Sequence, residues 1–265
     1  MKGFLLSFRS EFFKSRKTLG FWAAVLLPLI ICLLLFIGFY TKSAKLAGLA
    51  PMMLWIQFAG AVLRVMGSLL LPMYVIFIAY SVNNTEHSAN TWKSLFSLPV
   101  SRWAVYGAKY FYALFLVMLC LALFVLFTIG FGNLLSIVKP QLRFDNYHME
   151  KELVLVYFKL FLSSLGMFSI QFLLSLLWAD FLKPVGVGFV CTIVGVIMVV
   201  NNWEYNYLFP YAHPSIAITN MVSRANQAAN KLEIDVFTKE VPVSIIISVL
   251  VFIGGYFVVL KRSVR

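Results

Sequence analysis

The sequence predicts an all-α, polytopic membrane protein. Composition is the first observation behind that expectation. Hydrophobic residues make up 62% of the chain and charged residues 12%, with a mean hydropathy of +0.90, far from a soluble globular domain. The second is length, because the apolar residues gather in runs that suit helices of about 20 residues across a hydrocarbon core. The third is the placing of charge: basic residues concentrate in the short connections and tails on one side of those runs. With no water in lipid to satisfy peptide groups, such runs are expected as helices rather than open sheet.

The first element is expected over residues 1–18. MKGFLLSFRSEFFKSRKT puts Phe4, Leu5, Phe8 and Phe12 on one helical face, with Lys2, Arg9, Arg16 and Lys17 mostly elsewhere. That pattern describes an amphipathic helix lying in the membrane interface. A signal peptide fits less well, since basic residues continue to Lys17 and no small-residue cleavage site follows the apolar run. Residues 19–265 are then a transmembrane domain of six spans near 20–40, 61–82, 104–132, 154–178, 184–200 and 242–260. The third and fourth runs exceed the bilayer and need tilt or protruding ends.

Six spans place both termini on one side. That side holds 12 of the 22 basic residues and three of the ten acids, Glu11, Glu86 and Asp180, although its loops are the shorter ones. Such a bias marks the cytoplasmic face, so both termini and the loop at 83–103 are expected there. The net charge of +12 then orients the chain and meets anionic headgroups; a nucleic-acid role is not expected.

The loop at 83–103 is the most informative connection. Asn83 with Glu86 three residues on is a helix-start signature. A helix running on from there has Glu86, Asn90, Lys93 and Ser97 on one face and Trp92, Leu95 and Phe96 on the other. Pro99 ends it, and Ser101 can cap the next helix. A short amphipathic helix between two spans either lies on lipid and sets the height of its neighbours or presses on a second protein.

Glu86-His87, Asn90-Thr91-Trp92-Lys93, Leu98-Pro99-Val100-Ser101-Arg102 and Lys109 look like the first cytoplasmic loop of permease subunits of exporter-type (type 2) ATP-binding-cassette transporters. The branch that includes lantibiotic-immunity permeases is the most similar, although many relatives carry Gly-Thr where this chain has Asn90-Thr91. The resemblance implies that the loop is a coupling helix docking in a groove of a separate ATPase subunit. It makes Glu86, Trp92 and Lys93 ATPase contacts and Arg102 an anchor to headgroups or partner. It also implies two copies of the ATPase, a second permease subunit (identical or homologous), and the plasma membrane of a prokaryote. The cargo implied is amphiphilic, a lantibiotic-like peptide or a lipid. An N-terminal elbow helix and an outer re-entrant helical pair before the last span belong to the same expectation.

No Gly-rich loop ending in Gly-Lys-Ser/Thr occurs, so ATP and Mg are expected on the partner ATPase, with no cofactor held by this chain and no catalysis of its own. Cys32, Cys120 and Cys191 fall in three different runs, and the histidines do not cluster; neither a disulfide nor a metal is expected. Readings from other classes are a membrane scaffold or receptor whose 83–103 loop binds another cytosolic protein, and a secondary transporter, though the carboxylates or matched broken helices of the latter are not evident. Candidates for a pathway or gate are few. Arg64 is either an interfacial anchor or a cargo contact. Gln171 belongs to a sparse stripe with Ser164, Ser175 and Trp178, residue types that more often bind neighbouring helices. Trp203 and Pro210 lie in the outer loop 201–241, read either as an aromatic belt or as a closure over the exit.

Overall fold

The computed structural model describes residues 2–89, 100–219 and 234–261, and every regular element among them is helical. Helix α1, Lys2–Ser15, is followed by α2, Leu19–Thr41, whose start is capped by the Thr18 hydroxyl accepting from the Phe21 amide. Helices α5 (Arg102–Val138), α6 (Glu150–Leu177), α7 (Leu182–Val200) and α8 (Glu240–Lys261) follow the long apolar runs. Ser101 accepts from the Ala104 amide at 3.2 Å and caps α5 as expected. At 37 residues, α5 is about 55 Å long and outreaches a hydrocarbon core of about 30 Å.

Among the described residues, five helices are long and apolar enough to cross a membrane: α2, α5, α6, α7 and α8. The expected second span, 61–82, is built differently. Helix α3 (Pro51–Val65), a wide π turn (Met66–Leu70) and α4 (Leu71–Ala89) follow one another directly, and neither helical piece is among the five. Two residues explain the distortion. Pro72 lacks the N–H that an α-helix would send to residue 68, and the Leu71 amide reaches Met66 instead. Gly67 faces Ile218 so closely that any Cβ there would overlap the Ile218 side chain.

The helix start expected at Asn83 is corrected. Helix α4 runs through Asn83 and Glu86 to Ala89 without a break. The Asn83 amide is buried against α6, where it donates to Ser175 Oγ at 2.8 Å, and it also donates to Ala79 O of its own helix at 3.2 Å. A side chain engaged across a helix interface is not available as a cap. Most of the coupling helix expected after it, residues 90–99, lies outside the described residues.

Helices α6 and α8 form the most extensive pairing, α2 and α1 both lie along α5, and α4 packs on α6. A seam of small polar groups joins the centre. Tyr110 Oη on α5, Ser169 Oγ on α6 and Ser248 Oγ on α8 are mutually bonded at 2.6–2.9 Å. Lower cost attaches to hydroxyls than to charges in such a place, because each finds a partner across the interface. At the end of the bundle away from α1, Trp55 Nε1 donates to Phe144 O at 2.8 Å and its ring meets Phe144 edge-on. Near that end the chain enters the bundle again: Tyr211 to Ile218 are eight consecutive buried residues, helical from 213.

Candidate functional site: a buried charge cluster where three helices meet

At the end where α1 lies, four ionisable side chains from three helices converge. Glu11 and Lys14 stand one turn apart on α1, Glu86 near the end of α4, and Lys109 two turns into α5. Lys109 Nζ lies 2.9 Å from Glu11 Oε2, makes a shorter ion pair with Glu86 Oε2, and donates to Val82 O at 3.2 Å. Lys14 Nζ bridges the same two acids from the other side, 3.0 Å from Glu86 and 3.4 Å from Glu11. The Thr85 hydroxyl also donates to Glu86, at 2.7 Å. Among the described residues, two acids and two bases alternate around the cluster, and these four charges sum to zero.

Burial makes this arrangement consequential. Lys109 is 1% exposed and Glu86 2%. Desolvation alone would raise the Glu86 carboxyl, yet the Lys109 charge and hydrogen bond, with Thr85 and Lys14, hold it below its ordinary value. Lys14 shows the mirror case: desolvation acts to lower it, and Glu11 and Glu86 together raise it. Both groups therefore stay charged in their paired state. The remainder of α1 is fastened to α5 by apolar rings, with Phe8 edge-on to Tyr112 and Phe4 edge-on to Phe111, and by a short hydrogen bond between Ser15 and Tyr112.

The residues singled out from the sequence do not form one site. Glu86 faces inward, paired with Lys14 of α1 and Lys109 of α5. Trp92 and Lys93 lie outside the described residues. Arg102 Nη1 donates to Leu260 O at 3.0 Å, tying the start of α5 to the end of α8. Arg64 is exposed on α3 and donates to Gly60 O of its own helix. Gln171 is fully buried: its amide donates to Pro184 O on α7, and its carbonyl accepts from Tyr211 Oη at 2.9 Å. Trp203 is 55% exposed, and Pro210 is half-buried where the buried strip begins. Gln171 thus anchors that strip through Tyr211 and Pro210 precedes it directly, whereas Arg64 and Trp203 are exposed.

Sequence reasoning missed the pairing of Glu11, Lys14 and Lys109 with Glu86. A signal existed: Lys109 sits in VYGAKYFYAL, and an ionisable residue inside an apolar helix calls for a partner. Its partners are 23 and 98 residues away, a distance no local pattern spans.

No curated protein and no solved structure matches the chain. The family model described as ABC-2 family transporter protein matches residues 7–195, a stretch that includes all four members of the charge cluster and the helices from most of α1 through most of α7. The chain belongs to the ABC-2 family of transporter proteins and is a membrane component of an ATP-binding-cassette transporter.

Proposed function

We propose that this chain is the permease subunit of an ATP-driven exporter and that the charge cluster is where the work of the ATPase enters the bundle. The observation that carries the reading is the position of the cluster. Residues 90–101 connect α4 to α5, and Glu86 and Lys109 flank that connection on either side. A force applied to the connection would reach α1, α4 and α5 together, because Lys109 and Glu86 pair with each other and with Glu11 and Lys14. Glu86 is then a positioning residue rather than a contact. Trp92 and Lys93 remain the proposed ATPase contacts, and Arg102 holds the start of α5 to α8.

In this reading the expected second span crosses the membrane as α3, the π turn and α4 in sequence, giving six spans. Helix α1 is the interfacial elbow, and the strip Tyr211–Ile218 is the re-entrant closure of the outer end. The termini are cytoplasmic, in the plasma membrane of a prokaryote. Two permease chains, each with one ATPase that binds ATP and Mg, enclose the path. The exposed apolar faces of α2, α7 and α8 suit lipid and a second permease. An amphiphilic peptide or lipid is the cargo class, with a lantibiotic-like peptide as the specific candidate that the resemblance supplies.

The test is co-purification with a co-expressed ATP-binding-cassette ATPase subunit. Truncating a buried aromatic anchor at an interface often costs about 2 kcal/mol or more, and about 1.4 kcal/mol is a tenfold change in affinity. Trp92→Ala should therefore weaken ATPase association by more than about tenfold at matched membrane abundance. Unchanged association together with unchanged cargo-stimulated hydrolysis would remove this connection from the coupling route.

A further inference from the structure

A second buried ion pair lies at the opposite end of the bundle. Lys159 on α6 and Glu240, the first residue of α8, are each 2% exposed, with Nζ 3.4 Å from Oε1. Lys159 also donates to Asp235 O at 3.0 Å, and the Thr238 hydroxyl donates to Glu240 at 2.5 Å. The pair therefore holds the Asp235 carbonyl and the Thr238 hydroxyl as well as two helices. Next to it the Lys239 ammonium lies 5.9 Å over the Tyr207 ring, and Tyr207 O accepts from His213 Nε2 at 2.8 Å. Those contacts connect the gripped segment to the start of the buried strip Tyr211–Ile218.

Helices α6 and α8 do not need this pair to stay together. Ser244 Oγ donates to Ser163 O and accepts from the Gly166 amide, both at 2.9 Å, and Ser169 bonds Ser248 one turn further on. A buried ion pair is in any case a poor way to gain stability, since desolvation offsets much of the attraction and apolar residues serve as well. What the pair does that an apolar contact would not is hold a backbone carbonyl and a hydroxyl in fixed places, in an arrangement that can come apart into hydrated charges.

We propose that Lys159 and Glu240 form a clasp that keeps the strip Tyr211–Ile218 closed in the outer end of the bundle, and that the clasp parts when cargo leaves. The inference rests on the permease reading for the meaning of the opening, but its test does not. In a cysteine-free background, Ala217→Cys, at a fully buried position, reports closure through its reaction with a membrane-impermeant maleimide on intact cells. Local opening sets that rate. Lys159→Met and Glu240→Gln should each raise it at least about tenfold, and the exchanged pair Lys159→Glu with Glu240→Lys should restore much of the protection. Because a lone buried charge can prevent folding, Lys159→Met/Glu240→Gln is the deciding variant; it removes both charges and should also label fast. A rate within about twofold of the parent in that double variant overturns the clasp. So does a parent already labelled as fast as Thr219→Cys, which is exposed, or loss of the double variant from the membrane, which would make the pair a requirement of folding alone. Failure of the parent to bind the ATPase would defeat the permease reading and leave the labelling result intact.

Discussion

Removing the Lys109 ammonium would leave the buried carboxylates of Glu11 and Glu86 close together, with Lys14 as the remaining cation between them among the described residues. Breaking a buried pair by deleting one partner costs about 3–5 kcal/mol, so Lys109→Met should sharply lower thermal stability in detergent, and Lys109→Arg should recover part of it. The lowered Glu86 carboxyl makes a related contribution that is present above the ordinary carboxylate range and lost as pH falls through its depressed value. The raised Lys14 contributes below its ordinary 10.5 and is lost only as pH rises beyond that. The part of the stability owed to this cluster should therefore be level across neutral pH and fall in acid, and that acid loss should shrink in Glu86→Gln. A fall of equal size in that variant would assign the acid sensitivity to other groups. At this scale the sequence was partly legible. Glu86 stood out through its neighbours in the chain, but its role followed from Lys109 and Glu11, which tertiary packing alone brings to it.

Hydropathy located most of the elements because a helix in lipid must be apolar over a known length, and α2, α5, α6, α7 and α8 cover the runs expected of them. The connection between the second and third spans was harder. Asn83 and Glu86 have the spacing of a capping box, but the buried partners of Asn83 on α6 outweigh a local preference. Gly67 and Pro72 were visible as residues, whereas the π turn they permit depends on Ile218, some 150 residues later. Glycines of α7 give a direct test of the buried strip. A Cβ on Gly195 would come within 2.7 Å of Tyr211 O and 2.8 Å of the Ala212 amide, while one on Gly186 would meet nothing within 4 Å. Backbone cannot move aside as a side-chain tip can. Gly195→Ala should destabilise by about 1–3 kcal/mol, and Gly186→Ala should be neutral or gain up to about 1 kcal/mol from helix propensity. Thermal unfolding of the two variants side by side checks this, and equal effects would mean that the strip is not packed on α7.

For the molecule as a whole, the expected orientation follows from charge asymmetry, and two exposed positions can check it. In a cysteine-free background, Ser88→Cys should react only from the cytoplasmic side and Asn146→Cys only from outside. Outside labelling of position 88 would invert the molecule and move the charge cluster to the wrong face for an ATPase.

The two ion clusters also set a timetable for making the protein. Glu11 precedes Lys109 by 98 residues, which at about 5–20 residues per second is several seconds of synthesis. During that interval the first helix has no charged partner on α5 and can rest hydrated at the membrane surface, at little cost. Lys159 enters with α6 before Glu240 exists; near the outer end of that helix it can reach the interface by extending its side chain, so its cost stays below the about 2.5–3.5 kcal/mol of a lysine at a helix centre. The last helix therefore supplies the partner of a lysine made some 80 residues earlier, and a chain released before residue 240 lacks that pair.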